Sequence, residues 1–290
     1  MSDSRPLQHV INFRDVGATI NTYLGRKRIR EGVIFRSARP DDASAEDAAI
    51  IRDEMGIATI IDLRTQTELI RQAKKLCPST RDRALWSWFL PSPELPRIEG
   101  IRYENIKITG RPLERHLLRQ LTWLTFIKVI FFFITGYRID AVRLIATEAM
   151  LPRGLLGLGT DTIDHSGAEI RQTLAFFASA QSLPVLIHCT QGKDRTGLII
   201  ILVLMILDIP LDAIEHDYNL TDFALEAERE ERLTEARQIG LTDDWVRTYP
   251  HMITGLMRHL EDKHGGLESY LDGIGFDEAQ RTSLRRLLLY

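Results

Sequence analysis

The sequence predicts an α/β fold: a short-stranded central sheet flanked by helices, with a helical C-terminal third. Three observations carry this. Residues 57–63 and 184–187 are short apolar runs, largely of branched residues and of strand length. Strand patterns lead into loops and then helical patterns, the order that builds helix layers on a sheet. The last third shows amphipathic helical periodicity, punctuated by Gly240, Gly265-Gly266 and Gly273 to Gly275.

Taken in order, residues 1–10 read as a polar lead-in and 12–17 as an extended piece ending in a turn. Residues 32–37 form a short strand. Ser44 is placed to cap a helix over the acidic, alanine-rich stretch 45–54, which Gly56 ends, and 57–63 is a buried strand. Residues 77–100 contain Pro78, Pro91, Pro93 and Pro96 together with Trp86 and Trp88, so a loop or insertion is expected. The two tryptophans either pack there or line a substrate entrance; packing is favoured.

Residues 121–134 are the most hydrophobic stretch. The run is interrupted by Lys128 and falls short of the roughly 18 apolar residues of a membrane span. A buried or partly exposed helix is expected, with an apolar lid or a helix resting on lipid as the alternatives. Residues 166–180 read as helix, 184–187 as the strand that delivers the chain to His188, and 198–207 as a central helix buried on all sides. Helices are expected over 212–218, 223–238, 245–264 and 278–289. One domain over residues 1–290 is expected, with an insertion or lid at about 77–150.

Composition narrows the function classes. The 290 residues are 44% hydrophobic and 27% charged, as in a globular protein, and the net charge is −3. Such a balance offers no global attraction to nucleic acid, so no nucleic-acid partner is expected and any anion site must be local. The two cysteines, Cys77 and Cys189, cannot build a disulfide framework or a metal-ligand cysteine pair. The first residues lack the apolar run of a signal peptide, so a reducing, cytoplasmic setting is expected. Oligomeric state is not legible.

The chemistry concentrates in His188-Cys189-Thr190-Gln191-Gly192-Lys193-Asp194-Arg195-Thr196-Gly197. A loop between a strand and a helix N-terminus turns successive N–H groups inward as an anion nest. Gly192 and Gly197 permit the tight path, and Arg195 adds a planar fork matched to two phosphate oxygens. Cys189 would sit at the floor of the nest, where the positive surroundings favour the attacking sulfur anion. Thr196 can donate to that sulfur, and His188 is expected to order the loop. Thr190, Gln191, Gly192, Lys193, Asp194 and Thr196 are the expected substrate-binding set. The expected reaction is in-line attack of sulfur on phosphorus, giving a phosphocysteine that water hydrolyses, with no metal or cofactor required.

This loop resembles the His-Cys-x5-Arg-Ser/Thr signature of the protein tyrosine phosphatase superfamily. Its Gly-Lys-Asp-Arg-Thr portion is similar to a bacterial and fungal branch with tyrosine and phosphoinositide activity. Asn12-Phe13-Arg14-Asp15-Val16-Gly17, Arg36-Ser37 and Asp62-Leu63-Arg64 with Glu68 match recurring motifs of that branch. The resemblance implies a tyrosine-phosphatase-like fold and a phosphorylated protein or phosphoinositide as substrate.

A second lysine at the position of Lys193 also occurs in tensin-like phosphoinositide phosphatases, so Lys193 is expected either to meet an additional phosphate or to pair with Asp194. For the general acid, the resemblance favours Asp62, at the end of an apolar strand; Asp161 and Asp164, before the helix that precedes the catalytic strand, are the alternatives. Arg14 and Asp15 are expected to brace the N-terminal segment, and Arg36 and Arg64 to form buried ion pairs. Cys77 is expected to be inert. Alternative functions are an inositol-pyrophosphate phosphatase, supported by Lys193, and a catalytically silent phosphate- or lipid-binding module. Peripheral membrane contact, if any, falls to residues 121–134.

Overall fold

The computed structural model describes residues 7–76 and 95–290. Five strands form one sheet: β1 (Arg14–Asp15), β2 (Ile34–Ser37), β3 (Thr59–Asp62), β4 (Arg102–Asn105) and β5 (Val185–His188). Their order is β1-β2-β5-β3-β4, with β2, β5, β3 and β4 parallel and β1 antiparallel at one edge. Every residue of β2, β3 and β5 is buried, which is why the stretches carrying β3 and β5 read as apolar runs rather than alternating ones. β5 lies in the middle. Its last residue, His188, pairs with Ser37 on one side and Asp62 on the other. The carboxyl ends of three strands therefore open onto one place, where sites collect in such sheets.

Helix α1 (Val16–Leu24) stands where the sequence suggested only a turn. Asp15 caps it by accepting from the Ala18 N–H. Gly17 is required because a Cβ there would approach the Arg30 carbonyl oxygen to 2.5 Å. Helix α2 (Ala45–Ala49) begins at Ser44 with a reciprocal capping box to Asp47, then widens into a π-turn over Ile50–Glu54. Helix α3 (Gln66–Leu76) follows β3. Cys77, Trp86 and Trp88 fall outside the described residues.

Within the stretch 77–150, β4 belongs to the central sheet, while α4 (Arg111–Arg119), α5 (Trp123–Ile134) and α6 (Arg138–Ile145) gather around a smaller core of Leu113, Leu117, Val129 and Ala141. Thr122 caps α5. Only one side of α5 is covered: Trp123, Leu124, Ile127, Ile130, Phe131 and Ile134 are exposed. No helix among the described residues is long and apolar enough to cross a membrane.

Helix α9 (Asp194–Ile206) leaves the loop after β5 and is buried along nearly its whole length. It shares the main core with α7 (Gly154–His165), α8 (Gly167–Phe177), α10 (Leu211–Ala224), α12 (Met252–His264), α13 (Leu267–Gly273) and α14 (Glu278–Leu288). Two of the long C-terminal helices expected from periodicity are divided. Residues 223–238 split around a 3-10 turn at Glu226–Glu228 before α11 (Arg229–Gln238). Residues 245–264 split before α12 begins at Met252, next to Pro250, whose ring and missing N–H cannot sit inside a helix.

Candidate active site

The loop from Cys189 to Lys193 is held from behind, through its carbonyl groups. Thr190 O accepts from the Arg39 N–H (3.3 Å), and Asn12 Nδ2 donates to Gln191 O (3.0 Å) and Gly192 O (3.2 Å). Arg36 Nη2 donates to Gly192 O at 2.8 Å. With the carbonyls committed outward, the N–H groups of residues 190–193 find no carbonyl partner among the described residues and are left for an anion. Gly192 makes this possible: its φ is +67°, and a Cβ there would overlap the Ser37 carbonyl.

The brace is itself anchored by one buried carboxylate. Asp217, on α10, accepts from Arg36 Nη1 (2.5 Å) and Arg14 Nε (2.8 Å). Burial would raise its carboxyl, but the two guanidinium charges pull it below the usual range. Burial beside Arg36 lowers Arg14 to about 10, which leaves it charged at neutral pH.

Cys189 is buried at the end of β5, and His188 lies beneath it with Nδ1 3.2 Å from Cys189 O. Burial pushes the His188 imidazole down, which keeps it neutral and suits an ordering role. Arg195, in the first turn of α9, is oriented by Glu68 of α3: Nη1 donates to Oε2 (2.7 Å) and Nη2 to Oε1 (2.5 Å). Nη1 also reaches Leu63 O at 3.3 Å. Glu68 additionally accepts from the Thr190 hydroxyl (2.5 Å) and from Thr65. Burial alone would raise Glu68, yet Arg195 and these donors hold it well below the usual carboxylate range. The ion pair raises Arg195 in turn, against burial. The Thr196 hydroxyl is buried and has no hydrogen-bond partner among the described residues.

Cys189, the N–H groups of the loop, the Arg195 guanidinium and the Thr196 hydroxyl are thus assembled at the carboxyl edge of a parallel sheet. The sequence profile of the tyrosine phosphatase family matches residues 5–290. The chain belongs to the tyrosine phosphatase family. It is 25% identical to the triple specificity protein phosphatase PtpB of Mycobacterium tuberculosis, an alignment covering 98% of this chain and 99% of that protein. It is 30% identical to a tyrosine-protein phosphatase of Nostoc commune over 132 residues, 42% of this chain and about 45% of that protein's length.

In this tyrosine phosphatase family member, Thr190, Gln191, Gly192, Asp194, Arg195 and Thr196 lie with Cys189 on the loop after β5 and the start of α9. Of the two roles expected for Lys193, the structure shows the pairing with Asp194 and a buried side chain, not one open to substrate. Its ammonium is fully buried and donates to Trp245 O (3.0 Å) and Arg247 O (2.9 Å), with Asp194 Oδ1 at 2.8 Å. A buried ammonium needs such acceptors, so Lys193 clamps the loop to the C-terminal half instead of facing substrate.

Asp62 reaches the site, with Oδ2 3.9 Å from His188 Nε2. Both of its oxygens accept from Arg64, whose far side binds Asp41. Burial would raise Asp62, but the charge and hydrogen bonds of Arg64 draw it below the usual carboxylate range, so it is ionised in the resting protein. Asp161 and Asp164 are not brought to the loop. Asp161 pairs with Arg153 and lies 3.4 Å from His116 Nε2; Asp164 is met by His259, Lys263 and His264.

The sequence reading missed the weight carried by Glu68 and missed Asp217 altogether. The signal for Asp217 was present: it falls on the buried stripe Ala213, Ile214, Tyr218 and Thr221 of α10, where an acid is costly unless paired.

Proposed function

We propose that the chain hydrolyses phosphomonoesters, of phosphotyrosine and/or phosphoinositides, through a phosphocysteine intermediate. The observation that supports this best is the pattern of donors left unused around Cys189. Of the five guanidinium N–H donors of Arg195, Glu68 and Leu63 O take three. Nε–H and one Nη2–H are left side by side, a two-pronged match for phosphate above the N–H groups of the loop. In this reading Cys189 Sγ attacks phosphorus as the ester P–O bond breaks. The loop N–H groups and Arg195 hold the non-bridging oxygens as charge builds. Water then attacks the phosphocysteine, the P–S bond breaks, and Thr196 donates to the departing sulfur. Asp194, half exposed at the loop, is positioned in this scheme to assist that water. The thiol has to stay free, which goes with a reducing, cytoplasmic location.

The leaving oxygen needs a proton, and we assign this to Asp62. Its resting partner Arg64 already holds Asp41, so Arg64 can give up Asp62 without losing its counter-ion. A bound phosphate dianion raises a neighbouring carboxyl, favouring the protonated form required of an acid.

Phosphoinositide activity gains support from the exposed apolar face of α5, which we assign to contact with lipid, and the triple specificity for which the Mycobacterium relative is named accords with a broad substrate range. Lys193 no longer favours an inositol pyrophosphate, because its ammonium is occupied by Trp245 and Arg247.

Wild-type protein and a Cys189→Ser variant should be compared on a phosphotyrosine peptide, phosphoinositide in vesicles and soluble inositol polyphosphates, with chelator present throughout. We expect the variant to lose about 10³-fold or more in kcat on every substrate that turns over. Equal turnover by the two proteins would overturn the cysteine mechanism. For the acid, Asp62→Asn should abolish the basic limb of the pH–rate profile; a limb retained there and lost in Asp161→Asn would transfer the role.

A further inference from the structure

Away from the loop, two imidazoles converge on a single carboxylate oxygen. Asp164, near the end of α7, has Oδ1 2.9 Å from His259 Nε2 and 2.8 Å from His264 Nε2, both on α12. The three atoms lie within 4.8 Å of one another, and no other such group of His, Cys, Asp or Glu occurs among the described residues. We infer that Asp164, His259 and His264 form a binding site for a divalent cation of the zinc type, which ties the ends of α7 and α12 together.

Ligand chemistry supports this assignment. Two imidazole nitrogens and one carboxylate oxygen suit zinc and its first-row neighbours, whereas calcium and magnesium call for oxygen. Bonds of about 2.0–2.2 Å in a tetrahedron place ligand atoms roughly 3.3–3.5 Å apart. Asp164 Oδ1 and the two nitrogens need to separate by only about half an ångström to admit the ion. The rings are inclined at 66° with centroids 5.8 Å apart, so they are angled, not stacked.

Neighbouring groups hold His264 and Asp164 in place. The His264 ring stands edge-on to Tyr270 at 5.0 Å, and the Tyr270 hydroxyl is held by Ile163 O at 3.0 Å. Lys263 occupies the other oxygen of Asp164 at 2.6 Å, directing Oδ1 to the imidazoles. An adjoining cavity of about 550 Å³, lined in part by Asp164, His259, His165 and His116, gives room for water to complete the coordination.

The consequence reaches the phosphatase loop through packing. α7 and α12 contribute Leu155, Leu158, Thr162, Met252 and Leu256 to the wall around Asp194 and Arg195. The two helices touch closely, since a Cβ on Gly255 would come within 2.6 Å of Leu156. An ion at their ends would stiffen this wall without taking part in the chemistry at Cys189.

The test uses full-length protein carrying Cys77→Ser and Cys189→Ser, so that neither thiol can take up metal. After treatment with chelator, Zn²⁺ is titrated by calorimetry. One saturable equivalent of micromolar or tighter affinity is expected, and His259→Ala or His264→Ala should weaken it about 100-fold or more. X-ray absorption on the zinc-loaded parent gives a readout that does not depend on any variant folding: two imidazoles and no sulfur in the first shell. Absence of saturable binding, unchanged affinity in both folded histidine variants, or a shell with fewer than two imidazoles would overturn the inference.

Discussion

At the scale of single residues, the loop depends on the absence of a side chain as much as on the presence of others. Gly192 combines a left-handed φ of +67° with close approach to the Ser37 carbonyl. Gly192→Ala should therefore cost about 1–3 kcal/mol in urea unfolding and reduce kcat/KM far more, about 100-fold or beyond, because the N–H groups lose alignment. Full activity in the alanine variant would show that the loop does not need this path. Gly192, Cys189 and Arg195 were legible because they stand close together in sequence. Asp217 was not, because its partners Arg14 and Arg36 lie about two hundred positions away and only the fold brings them to it. The pairing of Lys193 with Asp194 was among its expected roles, but its further acceptors escaped the sequence for the same reason: they are carbonyls of residues 245 and 247, and carbonyls leave no mark on a sequence pattern.

At the scale of elements, α5 and α9 are nearly indistinguishable as strings. Both carry apolar runs at helix length, aromatic-rich in α5 and aliphatic in α9, yet α9 is buried and α5 leaves one face bare. Their energetics should differ accordingly. Ile200→Ala, in the centre of α9, is expected to destabilise by about 2–5 kcal/mol through lost burial and the cavity left behind. Ile130→Ser, on the open face of α5, should change unfolding free energy by about 0.5 kcal/mol or less while reducing flotation with phosphoinositide vesicles. A large stability loss for Ile130→Ser would mean that this face is covered. Helix boundaries in the C-terminal third were readable where a capping box marked them, as at Asp277 before α14. They were not readable at 225–229, where no Gly or Pro marks the break.

At the scale of the whole molecule, buried carboxylates set the response to acid. Asp47 accepts from the N–H groups of Gln8, His9 and Ser44, which join the N-terminal segment to α2. Burial would raise its carboxyl, but these donors bring it from 3.8 down to about 2. A carboxyl lowered by folding stabilises the folded state above its ordinary value, and that stability disappears as pH falls through the folded value. Asp47 should thus contribute about 2 kcal/mol at neutral pH, lost between about pH 4 and pH 2. Asp62, Glu68 and Asp217 are shifted in the same direction and reinforce the trend. Asp47→Asn should lower stability at pH 7 and flatten this acid limb, as followed by thermal unfolding across pH; an unchanged limb would remove Asp47 from the account.

The sequence by itself determined the α/β class, the central strand that ends at His188, the buried helix beyond it and the loop that places Cys189 and Arg195 between them. These features are local: strand, turn and helix N-terminus follow one another within a few residues, and their chemistry follows from that order. Only the tertiary structure decided which charges are shared. It gave Glu68 to Arg195, Asp217 to Arg14 and Arg36, Arg64 to both Asp62 and Asp41, and Asp164 to two histidines of a distant helix. A buried charge must find its counterpart wherever packing places one, and packing is fixed by the whole chain.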